Sequence, residues 1–255
     1  MLGTAPAVLG AGLGTVVVRA ADDDQGVGTG ATSAPGLGVQ QIVWSGERDV
    51  ALTFDDGPDP ELTPLLLDVL AAHHVPATFM LLGARAAERR DLVRRAAGAG
   101  HELGNHTWTH RSLATLDKRE VEIEIARTAE VLGEPVRWFR PPRGVLTGAA
   151  AQVAGEHGYD ILLWSCSGSM ASLRSTPAVA THVIDRLHPG TVVLMHDGIG
   201  RAGFSRWASA RATARRRRAM ELAALPRILE HARDAGVRFV TMSELVTTDT
   251  QTTVR

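Results

Sequence analysis

Asp49-Val50-Ala51-Leu52-Thr53-Phe54-Asp55-Asp56-Gly57-Pro58 is an apolar run that stops at two carboxylates and a turn. An unbroken apolar stretch of this length suits a strand buried on both faces of a parallel sheet. Neighbouring strand residues point to opposite faces. Where the chain turns at Gly57-Pro58, however, Asp55 and Asp56 can face one site. Close carboxylates repel unless a cation or proton lies between them. Taken alone, the run is better read as a strand ending in a solvated turn, so the decision rests on what surrounds it.

Outward from this run, strand-like and helix-like stretches alternate. Helical spacing spans 61–74, 84–99, 118–132, 148–157, 176–187 and 220–235. Strands are expected at 49–54, 77–82, 102–106, 136–139, 159–164, 191–195 and 237–241. Seven alternations imply parallel strands with crossover helices, an α/β barrel whose chemistry sits at the C-terminal strand ends. Asp55, Asp56, His106, Arg140, Trp164 and His196 all fall at such ends.

The 255 residues suffice for one full α/β core or for two small domains. A formal net charge of −1 creates no global field for nucleic acid. The single cysteine, Cys166, excludes an internal disulfide and a multi-cysteine metal site and reads as a small core residue. Residues 1–18 are apolar and precede Arg19-Ala20-Ala21, which resembles an export signal, with a weak anchor or a tail as alternatives. Residues 22–40 read as a linker and 41–248 as the catalytic domain.

Three further groups could carry chemistry. His106-Thr107-Trp108-Thr109-His110 places two imidazoles on one face if the segment coils into a helical turn. With Asp56 they make a two-His, one-carboxylate set that leaves coordination positions open for water. Phe139-Arg140-Pro141-Pro142-Arg143-Gly144 is a rigid loop that can aim backbone N–H groups at an oxyanion, and Arg140 can fork onto a carboxylate. His196, in Leu194-Met195-His196-Asp197-Gly198, closes a strand and can titrate near neutrality. Each alone is also explained by surface or turn roles. His73, His74, His101, His157, His182, His188 and His231 show no ligand spacing.

Together, in this order, the motifs resemble the polysaccharide deacetylases of nodulation-protein-B homology, carbohydrate esterase family 4, from about Asp49 to about Leu245. The resemblance implies a distorted (β/α)7 barrel and hydrolysis of N-acetyl groups on an amino-sugar polymer or oligomer, peptidoglycan or chitin-like, with release of acetate. It implies Asp55 as catalytic base, Asp56, His106 and His110 as ligands of one divalent metal, and Arg140 orienting Asp55. The backbone N–H of Arg143 would hold the oxyanion and His196 would act as general acid. Leu194 and Trp164 would line the acetyl pocket. Zinc suits the donor set, with cobalt or nickel as alternatives. O-acetyl xylan esterase activity and a metal-retaining glycan-binding pseudoenzyme are the competing expectations.

Two departures stand out. Arg143 occupies a position that is usually tyrosine in the family. The stretch after Trp164-Ser165, Cys166-Ser-Gly-Ser-Met170-Ala171, lacks the Asp-Trp pair whose carboxylate supports the general-acid histidine. Either the pKa of His196 differs from the family's or another partner, such as Asp197 or Asp160, is expected to support it. Residues 201–218 hold seven arginines and no acid. They are expected to form a loop beside the site that engages an acidic polymer, with a solvated basic face as the alternative. A monomer is expected.

Overall fold

The computed structural model describes residues 15–17, 38–40, 48–133 and 136–252. Its elements run β1 (Thr15–Val17), β2 (Gly38–Gln40), β3 (Asp49–Asp55), α1 (Leu62–His73), β4 (Thr78–Leu81), α2 (Gly83–Glu88), α3 (Arg90–Gly98), β5 (Glu102–Asn105) and α4 (Lys118–Leu132). They continue with β6 (Trp138–Phe139), α5 (Gly148–Glu156), β7 (Asp160–Leu162), β8 (Cys166–Ser167), α6 (Thr176–Ile184), β9 (Val192–His196), α7 (Ala208–Asp234), β10 (Arg238–Val240) and α8 (Met242–Thr252).

All strand pairings are parallel, in the order β2-β1-β7-β6-β5-β4-β3-β9-β8. β10 joins the first half of β3, at Asp49–Ala51, while β4 pairs with the second half, at Thr53–Asp55. The seven expected strands are present, and the architecture is a distorted (β/α)7 barrel. β3 pairs with β4, β9 and β10 and has every residue buried, as its apolar run requires. Phe54 stacks on Phe79 of β4 with ring centroids 5.4 Å apart. Leu66 and Leu70 of α1 and Leu225 and Ile228 of α7 cover this layer. Burying each such side chain is worth roughly 1.5–3 kcal/mol.

Several boundaries differ from the sequence reading. The 84–99 helix is two, α2 and α3, because Arg89 leaves helical geometry at φ −130°, ψ 52°. The arginine-rich segment is no loop: only 200–204 forms a short 3-10 turn, and α7 begins at Ala208 rather than Met220. Alanine and arginine are strong helix formers, so Arg211 and the run 215–218, read as part of a loop, lie in the first turns of α7. β8 was missed because two residues carry no periodicity. α8 was also missed and extends past 248. Thr15–Val17 and Gly38–Gln40, expected in the apolar leader and linker, form short strands beside β7. The rest of 1–40 lies outside the described residues, including the signal-like cleavage region. No helix among the described residues is long and apolar enough to cross a membrane.

Candidate active site

The site lies where β3, β5, β6 and β9 end. β3 delivers Asp55 directly opposite His196 of β9. Asp56 then adopts φ 78°, which turns the chain out of the sheet. Positive φ at a non-glycine residue costs on the order of 1–3 kcal/mol and persists where packing enforces it. Here the packing is close. A side chain on Gly57 would collide with the Asp197 carboxylate, and one on Gly198 with the Asp56 backbone.

His106 and His110 converge, but not through a helical turn. The segment is a bend, with Thr107 at φ 72° and His110 at φ 58°. Asn105 Oδ1 accepts the Thr107 N–H at 2.9 Å, and Thr107 Oγ1 accepts that of His110 at 3.2 Å. Glu124 of α4 takes both the N–H and the hydroxyl of Thr109. The loop is thus held by its own polar groups and by a neighbouring helix. The imidazole centroids lie 5.2 Å apart.

The donor set fits a metal ion. One ligand atom each from Asp56, His106 and His110 lies within 4.8 Å of the others. His106 Nδ1 sits 2.7 Å from the Arg140 carbonyl, so Nδ1–H donates there and Nε2 keeps its lone pair for the site. His110 Nε2 is 3.4 Å from Asp56 Oδ1, a buried oxygen with no hydrogen-bond partner among the described residues. Such an orphan acceptor is costly without a cation. Burial pushes His110 down to about 4, against the pull of Asp56 and Asp55, which leaves a neutral imidazole able to ligate. Burial alone would raise Asp56, but His110, His196, Arg218 and His106 outweigh it and lower its pKa.

Arg140 is fully buried and uses every part of its fork. Nη1 donates to Asp55 Oδ1 at 2.5 Å and to Thr53 Oγ1 at 3.0 Å; Nε and Nη2 donate to the Leu162 and Leu163 carbonyls. Asp55 Oδ2 is left 3.5 Å from His106 Nε2, beside the ligand cluster. Arg143 follows Pro142 at φ 59°, with its side chain exposed. Arg143, Trp164, Leu194, His196, Ile199, Gly200, Arg201 and Arg218 line a cavity of about 260 Å³ with Asp55, Asp56, His106 and His110. All nine residues singled out from the sequence, Asp55, Asp56, His106, His110, Arg140, Arg143, Trp164, Leu194 and His196, meet in or against this cavity.

The expected supports for His196 do not serve it. Asp197 turns its carboxylate to Thr63 Oγ1 at 2.7 Å, and Asp160 pairs with Arg137 at 2.7 Å at the start of β7. The partner is Glu221 of α7, whose Oε2 lies 3.0 Å from His196 Nδ1. Its Oε1 accepts from Arg218 Nη1 at 2.7 Å. Arg218 also donates to Gly198 O, Ser169 Oγ and Asp56 Oδ2. Burial would raise Glu221, yet Arg218 and His196 bring it down to about 2. Glu221 and Arg218 were missed by sequence reasoning. The available signal was a carboxylate on the buried stripe Glu221, Ala224, Leu225, Ile228 and Leu229, where a charge needs a partner.

The sequence pattern of the polysaccharide deacetylase family matches residues 44–162. A chitooligosaccharide deacetylase of Sinorhizobium fredii is 39% identical over 60% of this chain and 74% of its own length. A peptidoglycan-N-acetylglucosamine deacetylase of Bacillus cereus is 33% identical over 80% of this chain and 92% of its own. Among solved structures, the Bc1960 peptidoglycan N-acetylglucosamine deacetylase superposes with a TM-score of 0.68 at 32% identity, covering 80% of this chain and 90% of that one. A family 4 carbohydrate esterase from Streptomyces lividans, in complex with acetate, gives 0.63 at 31% identity over 74% and 90%. With its barrel, its largely buried Asp-His-His cluster and these relatives, the chain belongs to the polysaccharide deacetylase family.

Proposed function

We propose that this chain removes N-acetyl groups from an amino-sugar polymer or oligomer, peptidoglycan or chitin-like, and releases acetate. The carrying observation is the unpartnered Asp56 Oδ1 among His106 and His110, 3.8 Å and 3.4 Å from their Nε2 atoms, beside a second carboxylate held by Arg140. Asp56, His106 and His110 would hold one divalent metal, with zinc suited to N and O donors and cobalt or nickel able to replace it. Bound there, the ion supplies Lewis acidity and lowers the pKa of water toward about 7.

The chain's own groups divide the remaining work. Arg140 holds one oxygen of Asp55 and leaves the other free to accept the proton of the attacking water. As the new C–O bond forms, the Arg143 N–H receives the developing oxyanion at a backbone preset by Pro141 and Pro142. The C–N bond then breaks, and His196, carrying a proton on both ring nitrogens, delivers the one on Nε2 to the departing amine. Leu194 and Trp164 form the apolar wall for the acetyl methyl. The backbone does the work assigned to position 143, so arginine in place of the usual tyrosine leaves that contact available.

A carboxylate-bearing polymer has a place to lie along α7. A groove of about 830 Å³ is lined by Ala171, Leu173, Arg174, Trp207, Arg216 and Arg217 among others, and Trp207 is 61% exposed. Arg174, Arg216 and Arg217 have no carboxylate partner among the described residues, whereas Arg215 is bound to Asp59 and Glu61. Within the segment 201–218, Arg215 and Arg218 are committed to carboxylates, while Arg216 and Arg217 line the groove beside Arg174. A cell-wall substrate would require export, and the apolar run 1–18 with Arg19-Ala20-Ala21 is the proposed signal, although Thr15–Val17 within it pairs with β7.

Acetate release from N-acetylglucosamine oligomers, peptidoglycan and acetyl-xylan, with and without chelator, tests the function. Chelator-sensitive release from the amino sugars is expected. Faster release from xylan would make the enzyme an ester hydrolase, and no release from any substrate would defeat both readings.

A further inference from the structure

The deacetylase reading leaves His196 needing a carboxylate that the stretch 165–171 does not contain. We propose that Glu221 is the positioning residue for His196, and that Arg218, one turn earlier on α7, locks it in place while also holding metal ligand Asp56. This inference rests on the deacetylase reading for its kinetic consequences, though not for its geometry.

The geometry is closed on every side. Glu221 is 1% exposed, and each of its oxygens has a single strong partner, His196 Nδ1 at 3.0 Å and Arg218 Nη1 at 2.7 Å. A carboxylate against Nδ1 keeps the proton on that nitrogen and turns Nε2 toward the cavity. Two other carboxylates near His196 in sequence or register are committed elsewhere, Asp197 to Thr63 and Asp55 to Arg140. Arg218 in turn is fixed by the Gly198 carbonyl at 3.0 Å and Ser169 Oγ at 2.6 Å. Its remaining contact, 3.3 Å to Asp56 Oδ2, occupies one oxygen of that carboxylate and leaves Oδ1 for the metal. One arginine therefore ties the proton-donor end of the site to the metal end. Ser169 lies within the very stretch that lost its carboxylate, so that loop now supports the substitute through Arg218.

The test uses the zinc-loaded full chain. Long-range proton–nitrogen NMR, with His196→Gln to assign the signal, reads the His196 tautomer in the wild type. A proton on Nδ1 is expected; a proton on Nε2 with bare Nδ1 would overturn the proposal. Glu221→Gln should lower kcat by about 10- to 100-fold with KM nearly unchanged and zinc still bound one to one. Glu221→Asp, which keeps the charge, should recover part of that loss. Wild-type kcat in Glu221→Gln, or loss of zinc alongside kcat, would reduce Glu221 to a packing role. If the wild type releases no acetate, the deacetylase reading fails, and the NMR measurement still decides the tautomer.

Discussion

Arg140 and Asp55 meet across the sheet, Nη1 to Oδ1 at 2.5 Å, both side chains at or near complete burial. Two strands far apart in sequence are thereby joined by a charge pair at the floor of the site. Removing one partner of a buried pair leaves the other uncompensated, at a typical cost of about 3–5 kcal/mol. Arg140→Met should lower unfolding free energy by about that amount and reduce turnover, as read by denaturant titration and an acetate assay.

Asp55→Asn should bind metal at the wild-type ratio yet lose nearly all turnover, since it removes a proton acceptor and no ligand. Elemental analysis beside kcat checks this. Near-normal kcat would place the base elsewhere.

Asp56→Ala and His106→Ala should each abolish stoichiometric metal binding. Both side chains are buried within the ligand cluster. Full metal occupancy in both variants would refute the assignment.

Gly200→Ala probes the packing behind the cluster. Gly200 has φ 50°, and an added Cβ would stand 2.7 Å from Asp56 Oδ2. The carboxylate must then move, so metal affinity should fall at least about tenfold, in line with losses from displaced supporting groups. Competition with a chromogenic chelator measures it.

Asp197 carries a pH prediction. Burial, aided by Asp56 and Asp59 and opposed by Thr63, pushes it up to about 7. A carboxyl raised in the folded state favours folding while protonated. That stability is full below its unfolded value near about 4 and is lost as pH rises through about 7. In chelator-treated protein, Asp197→Asn should therefore flatten the decline of Tm between about pH 5 and about pH 8. A decline equal to the wild type's would show that Asp197 is not its source.

The arginine groove is best probed by Trp207→Ala and Arg216→Ser. Replacing Arg215 to Arg218 together would also dismantle the Asp59 and Glu221 pairs. The single variants should raise KM several-fold on peptidoglycan at low salt and leave short neutral oligomers unaffected. Equal effects on both substrates would remove the groove from polymer binding.

The barrel was legible because parallel strands buried on two faces leave unbroken apolar runs, as in Val50–Phe54, and their crossover helices leave periodic ones. The candidate ligand residues were legible because they sit at strand ends, close to those runs. His106 and His110 were paired for the wrong local reason: the sequence spacing suggested a helical turn, and the structure brings them together by two left-handed residues and Glu124 of α4. Dihedrals of that kind are enforced by packing and leave no periodic trace.

The residues and order along the chain determined the α/β class, the seven strands and the nine groups that gather at their ends. Tertiary structure alone decided what supports His196. Glu221 lies 25 positions away from it, on a helix whose arginine-rich first turns were expected to be a loop. Its partner became visible only when α7 docked on β9, because a buried carboxylate is identified by the charges around it and those charges come from other elements.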